Sequence, residues 1–163
     1  MFFIYEVLGL IFILFSPLIF LIRIILGKEN PQRFLEKFCI YSKNPNFKKT
    51  IWLHGASVGE ILSVIPLIQE LEKNKKINKI LLSSSTTSSA HIFSKYKFKK
   101  TTHIYFPIDT NYLTNKFINY WKPKVAIFID SEIWPNMFKN LEKNNIPIVL
   151  INGRITKKSF MRW

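Results

Sequence analysis

The sequence predicts an α/β fold: a parallel sheet with helices on both faces, preceded by an N-terminal membrane-anchor helix. Three observations predict it. Short apolar runs alternate with helix-like stretches from Thr50 onward. In the first of those stretches Ile61, Val64, Ile65, Ile68 and Leu71 share one face at helical spacing. Ahead of both lies the most apolar part of the chain, uncharged from Val7 to Ile22.

That first segment comes close to the ~20 apolar residues that a bilayer crossing needs. Glu6 and Arg23 stand near its ends, where long side chains reach the interface. The rival reading is a cleaved signal peptide. Against it, the basic residues follow the apolar run instead of preceding it, and no small-x-small cleavage site is evident. Arg23, Lys28, Arg33 and Lys37 come next, and the positive-inside tendency puts that side in the cytoplasm. The expected division is residues 1–27 as anchor, 28–49 as basic linker and 50–163 as the α/β domain. In the linker Phe34, Phe38 and Ile40 have two possible seats, the domain or the lipid beside the anchor.

Beyond Thr50 the apolar runs 51–54, 80–83, 102–105, 125–129 and 148–151 read as strands. The stretches 60–73, 88–96, 111–121 and 135–144 read as helices, the first with an expected kink at Pro66. Such alternation gives a Rossmann-like sheet with parallel strands. The Ser/Thr tract 83–89 reads as a loop.

Composition limits the function classes. At 163 residues and 48% hydrophobic, the chain can bury a core. A formal net charge of +14 favours anionic partners, although the lysines are scattered rather than massed in one stripe. No nucleic-acid recognition motif appears, and the apolar N-terminus argues for membrane over nucleic acid. The single cysteine, Cys39, excludes an intrachain disulfide, and no Cys/His group has zinc spacing. Walker and GxGxxG signatures are absent.

Ligands of open parallel sheets bind beyond the carboxyl ends of the strands. The residues that follow each run therefore matter most. They are Ser57, Gly59 and Glu60; then 84–87; then Asp109; then Asp130, Ser131 and Glu132; then Asn152, Gly153 and Arg154. Carboxylates, hydroxyls, an amide and a guanidinium on one rim suit a polyhydroxyl or phosphorylated ligand. In HGASVGE, glycines at 55 and 59 permit positive φ and close approach of a ligand. Glu60 at a helix N-terminus has two readings. It completes a Ser-x-x-Glu capping box with Ser57, or it is an ionised carboxylate ready to accept a proton. The two coexist if capping occupies one edge of the carboxylate. Asp130-Ser131-Glu132 is a weak match to an Asp-x-Asp metal motif, and no metal is expected. His54, at the end of a buried strand, reads as a packed, hydrogen-bonded residue.

Four stretches, IWLHGASVGE, PIDT, KPKVAIFIDSEIWPN and IPIVLINGRITKKSF, occur in the order and spacing of the Kdo (3-deoxy-D-manno-octulosonic acid) transferases of lipopolysaccharide synthesis. The chain resembles the N-terminal half of that family. The resemblance implies one of two Rossmann-like domains of a GT-B fold, with the C-terminal donor domain absent from this sequence. It implies transfer of Kdo from CMP-Kdo to the 6′-hydroxyl of the lipid A precursor, with inversion and without metal or cofactor. By resemblance Glu60 is the general base and Glu132 the second essential carboxylate. Ser57 and Gly59 would shape the turn, with Asn152 and Arg154 near the acceptor. The implied location is the cytoplasmic face of the inner membrane. Lys28, Arg33, Lys37 and the 97–100 run are candidates to attract the acceptor's phosphates. The alternative is a non-catalytic membrane-tethered module that keeps only the acceptor site.

Overall fold

The computed structural model describes residues 2–41, 50–130, 132–153 and 161. Five parallel strands form one sheet: β1 (Thr50–His54), β2 (Ile80–Ser84), β3 (Thr101–Tyr105), β4 (Pro123–Ile129) and β5 (Ile148–Ile151). Their order is β3-β2-β1-β4-β5. Between them run α2 (Val58–Lys73), α3 (Thr87–Ser94), α4 (Asn111–Trp121) and α5 (Pro135–Lys143). Both faces of the sheet are covered over β1, β2 and β4, whose strands are mostly apolar, whereas β5 leaves Ile148, Val149 and Leu150 exposed. Trp52, Leu81, Ala126 and Phe128 turn toward α4 and α5, where Phe117, Trp121, Met137 and Leu141 meet them. Their strand neighbours Leu53, Ile80, Leu82 and Ile129 turn the other way, onto Ile61, Ile65 and Ile68 of α2 and Phe93 of α3. The period of two along each strand thus sorts one sequence into two cores.

The expected elements are present, with one difference. The tract 83–89 is not one loop. Ser83 and Ser84 finish β2, Thr86 caps α3 by accepting from the Ser89 amide, and Thr87 opens that helix. Hydroxyls are used there as caps and strand-end hydrogen-bond groups, which composition alone does not distinguish from a loop. The helix α2 runs through Pro66, from Val58 to Lys73. Pro66 lies on the exposed face, where water can serve the carbonyl left without its helical partner.

The N-terminal helix α1 (Phe2–Ile25) contains a segment, Tyr5–Ile25, long and apolar enough to cross a membrane. Pro17 deprives the Ile13 carbonyl of its helical donor, and Ser16 Oγ supplies one at 2.7 Å. One face of α1 rests on the α/β domain. Tyr5 donates to Asp109 at 2.7 Å, and Phe20 is buried against Phe34 and Phe38. A Cβ on Gly9 would come within 3.2 Å of Thr110. The remaining faces leave Leu10, Leu14, Leu18 and Ile25 exposed.

A 3₁₀ helix (Phe34–Phe38) lies between α1 and the sheet. It covers β3, an edge strand: Glu36 accepts from the Tyr105 amide at 2.9 Å, and Arg33 donates to the His103 carbonyl at 2.9 Å. Of the three linker residues with two possible seats, Phe34 and Phe38 pack inward and Ile40 stays exposed.

Candidate functional site

Strands β1 and β4 are neighbours, yet the helices that follow them go to opposite faces. The chain therefore diverges above this pair and leaves a crevice at the switch point, the position where open α/β sheets bind ligands. Glu60 follows β1 and Glu132 follows β4.

Glu60 is held by its own turn. Ser57 is the N-cap of α2, extended at φ −104° and ψ 166°, and its Oγ accepts from the Glu60 amide at 3.3 Å. The same hydroxyl donates to Glu60 Oε1 at 2.6 Å, and the Ala56 amide donates to Oε2 at 2.7 Å. Both carboxylate oxygens are thus engaged, where one edge was expected. Each oxygen still has a further lone-pair position for a ligand, since a carboxylate offers about four. The glycines do not act as expected either, because neither Gly55 nor Gly59 takes positive φ. Gly55 is needed for crowding: a Cβ there would stand 3.0 Å from the Glu60 Cβ and 3.3 Å from Ile129. Around Gly59 the nearest atom to such a Cβ is Ser57 Oγ at 4.0 Å, so the first turn of α2 is left uncovered.

Glu132 is half-buried just before α5. Burial pushes its pKa above the usual carboxylate range, and the charges of Glu60 and then Asp130 push in the same direction. The field of Glu60 on Glu132 brings two side chains that are far apart in sequence into one electrostatic neighbourhood. Asp130 and Asn152, both at φ 58°, end β4 and β5, and the Asn152 amide donates to the Asp130 carboxylate. Arg154 lies outside the described residues, as does Ser131.

One rim carboxylate has a role that the sequence left unassigned. Asp109 is buried and accepts from the amides of Asn136 at 3.0 Å and Met137 at 2.8 Å, the open N-terminus of α5. Trp134, the N-cap of α5, makes no side-chain cap of its own. Asp109 therefore caps a helix that follows another strand, and its Oδ2 also takes the Tyr5 hydroxyl. Its place just before Thr110, the cap of α4, disguised this, since both residues read as belonging to α4.

His54 is fully buried, with Nδ1 2.9 Å from Ser83 Oγ, and burial pushes its pKa down to about 3. It is a packed, hydrogen-bonded residue, stacked on Phe106 with ring centres 4.0 Å apart. Ser84 Oγ lies 2.8 Å from His103 Nε2, a hydroxyl–imidazole contact. Arg33 has only protons to offer at Nδ1, 3.1 Å away, so Nδ1 accepts and Nε2–H donates to Ser84. In that tautomer His103 has no lone pair with which to activate the serine. Among the described residues no three His, Cys, Asp or Glu side chains are grouped to hold a metal ion.

Most cations proposed to attract phosphate point elsewhere. Arg33 is paired with Glu36 at 2.7 Å and Lys37 with the buried Glu29 at 2.6 Å. Residues 97–100 precede β3, at the amino ends of the strands and away from the rim; the Lys99 and Lys100 amides are held by Glu72. Lys28 remains exposed.

An α/β domain with paired carboxylates at the switch point and an apolar helix against its rim is the class of molecule in view. Residues 32–163 match the family model described as 3-deoxy-D-manno-octulosonic-acid transferase (kdotransferase). The chain is 38% identical to the 3-deoxy-D-manno-octulosonic acid transferase of Rickettsia bellii, over 89% of this chain and 34% of that protein. It is 30% identical to the enzyme of that name from Rickettsia typhi, over 98% of this chain and 44% of the relative. With the one from Haemophilus influenzae the figures are 29%, 91% and 36%. The chain belongs to the Kdo transferase family, and it spans between 34% and 44% of the length of these relatives.

Proposed function

We propose that this chain is the acceptor-binding part of a membrane-associated glycosyltransferase that moves Kdo from CMP-Kdo to the 6′-hydroxyl of a lipid A precursor. Glu60 takes the proton from that hydroxyl as its oxygen attacks the anomeric carbon of Kdo. CMP departs from the opposite side, so the configuration inverts. Ser57 and the Ala56 amide fix the Glu60 carboxylate, so it need not reorganise as the proton arrives. Glu132, disposed by its surroundings to keep a proton longer than an ordinary carboxylate, orients the acceptor sugar through a hydrogen bond. Asn152 and Arg154 belong to the acceptor edge. CMP-Kdo binding is assigned to the part of the relatives that this chain does not match. The apolar helix α1 holds the domain at the cytoplasmic face of the membrane, where its substrate resides.

The observation that carries this reading is the divergence of the chain above the neighbouring strands β1 and β4, which puts the Glu60 turn and Glu132 at one switch point. The test is transfer of radiolabelled Kdo to a diglucosamine glycolipid, using membranes that carry the chain joined to the C-terminal part of a relative. Glu60→Gln should lower the rate by about 10²–10⁴-fold, the usual contribution of a general base. Transfer by that variant at the parental rate would refute the assignment.

A further inference from the structure

Between α1 and the rim lies a cavity of about 310 Å³ that none of the roles above uses. Phe12, Ile19 and Phe20 of α1 form one wall. Phe106, Ile108 and Trp134, from beyond the ends of β3 and β4, form the other. Resting on the proposed acceptor site, we infer that this cavity takes one acyl chain of the glycolipid whose sugar reacts at Glu60.

Three features select that occupant. First, the walls are apolar, and a hydrocarbon chain gains by leaving water there, whereas a sugar or nucleotide would lose hydrogen bonds. The helix that makes one wall also exposes Leu10, Leu14 and Leu18 on its outer faces, so apolar surface continues from outside the domain into the cavity. Second, the lining is joined to the segments that carry both candidate carboxylates, although neither carboxylate lines it. Trp134 lies two residues beyond Glu132. Ser85, also in the lining, bonds through its amide to the Ala56 carbonyl, in the turn that holds Glu60. A chain seated here leaves its head at the crevice. Third, the charged lining is balanced: Arg23 and Lys37 share the carboxylate oxygen Glu29 Oε1, and Asp109 is the fourth charged group. A ligand with a polar head and an apolar tail matches that distribution.

The test uses a diglucosamine bisphosphate glycolipid with a diazirine midway along one acyl chain, in phosphatidylethanolamine vesicles carrying the protein. After irradiation, labelled peptides are mapped by mass spectrometry. Adducts concentrated on Phe12, Ile19, Ile108 and Trp134 support the cavity. Adducts confined to Leu10, Leu14 and Leu18 overturn it. The same diazirine chain on phosphatidylglycerol forms the second arm, and equal labelling by it overturns the assignment to the acceptor. Ile19→Trp and, from the opposite wall, Ile108→Trp should each weaken glycolipid binding by about tenfold or more, equal to two methylenes kept in water. Unchanged affinity in both overturns the inference. Glu60→Gln should label like the parent. Parental transfer in that variant, with cavity labelling retained, would defeat the catalytic reading and leave the cavity standing.

Discussion

Ser57 and Glu60 each do two things in the same bond set. The serine hydroxyl closes the N-terminus of α2 and also holds the carboxylate that the turn presents. Ser57→Ala should therefore destabilise the fold by about 0.5–2 kcal/mol, the range for losing an N-cap, measured by urea denaturation. Glu132 should behave in the opposite way. Its folded-state pKa lies above the unfolded value, so its favourable contribution is full below the ordinary glutamate range and is lost as pH rises through the raised value. Glutamine stays neutral at every pH and escapes that loss. Glu132→Gln should melt higher than the parent at pH 7, and the two should converge below about pH 4. Solvent screening of a half-exposed group keeps the gain under about 1 kcal/mol, or no more than about 2–4 °C for a chain of this size. Equal melting temperatures at pH 7 would contradict the raised value of Glu132, set first by burial and then by Glu60.

At the scale of elements, Asp109 ties three pieces together: the loop after β3, the start of α5 and the helix α1. Its carboxylate is buried, and burial pushes its pKa up while the Tyr5 hydroxyl and the two amides pull it back. Asp109→Ala strands two helix-end amides and should cost about 3 kcal/mol; Tyr5→Phe removes one bond and should cost about 1 kcal/mol. In an Asp109→Ala background the Tyr5→Phe cost should vanish, and a double-mutant cycle in urea measures this. The helices and strands were legible because a parallel strand is apolar on both sides and a covering helix on one. The expectation that Glu60 and Glu132 share one rim followed from the parallel alternation alone, since each follows the carboxyl end of a strand. What Asp109 does was not legible, since its partners lie on a helix beyond the next strand. Nor were the uses of Arg33 and Glu36, which bond to His103 and Tyr105 about seventy residues on. A local pattern carries no record of such pairings.

At the scale of the whole molecule, the response to acid follows from two histidines. His54 is sealed among Trp52, Phe106 and Phe128, and His103 is half-buried beside the cation of Arg33. Burial first, and for His103 the arginine second, pushes both pKa values down to about 3. In the unfolded chain each titrates near 6.5. A depressed folded value means that the unfolded state binds the proton more tightly. The stability the two histidines contribute is thus full above about pH 6.5 and is lost progressively as pH falls toward 3. Asp109 and Glu132, with raised values, act in the opposite sense above the ordinary carboxylate range and offset part of that gain. Stability from urea denaturation should therefore rise with pH between about 4.5 and 6.5, by up to about 1.4 kcal/mol per pH unit for each histidine. In His103→Gln, the amide oxygen can accept from Arg33 and its NH₂ can donate to Ser84, so the local bonds survive while the titration is lost. That variant should show about half the parental slope across the same window. A parental slope near zero, or a slope unchanged by the substitution, would mean that these imidazoles are not held neutral by the fold.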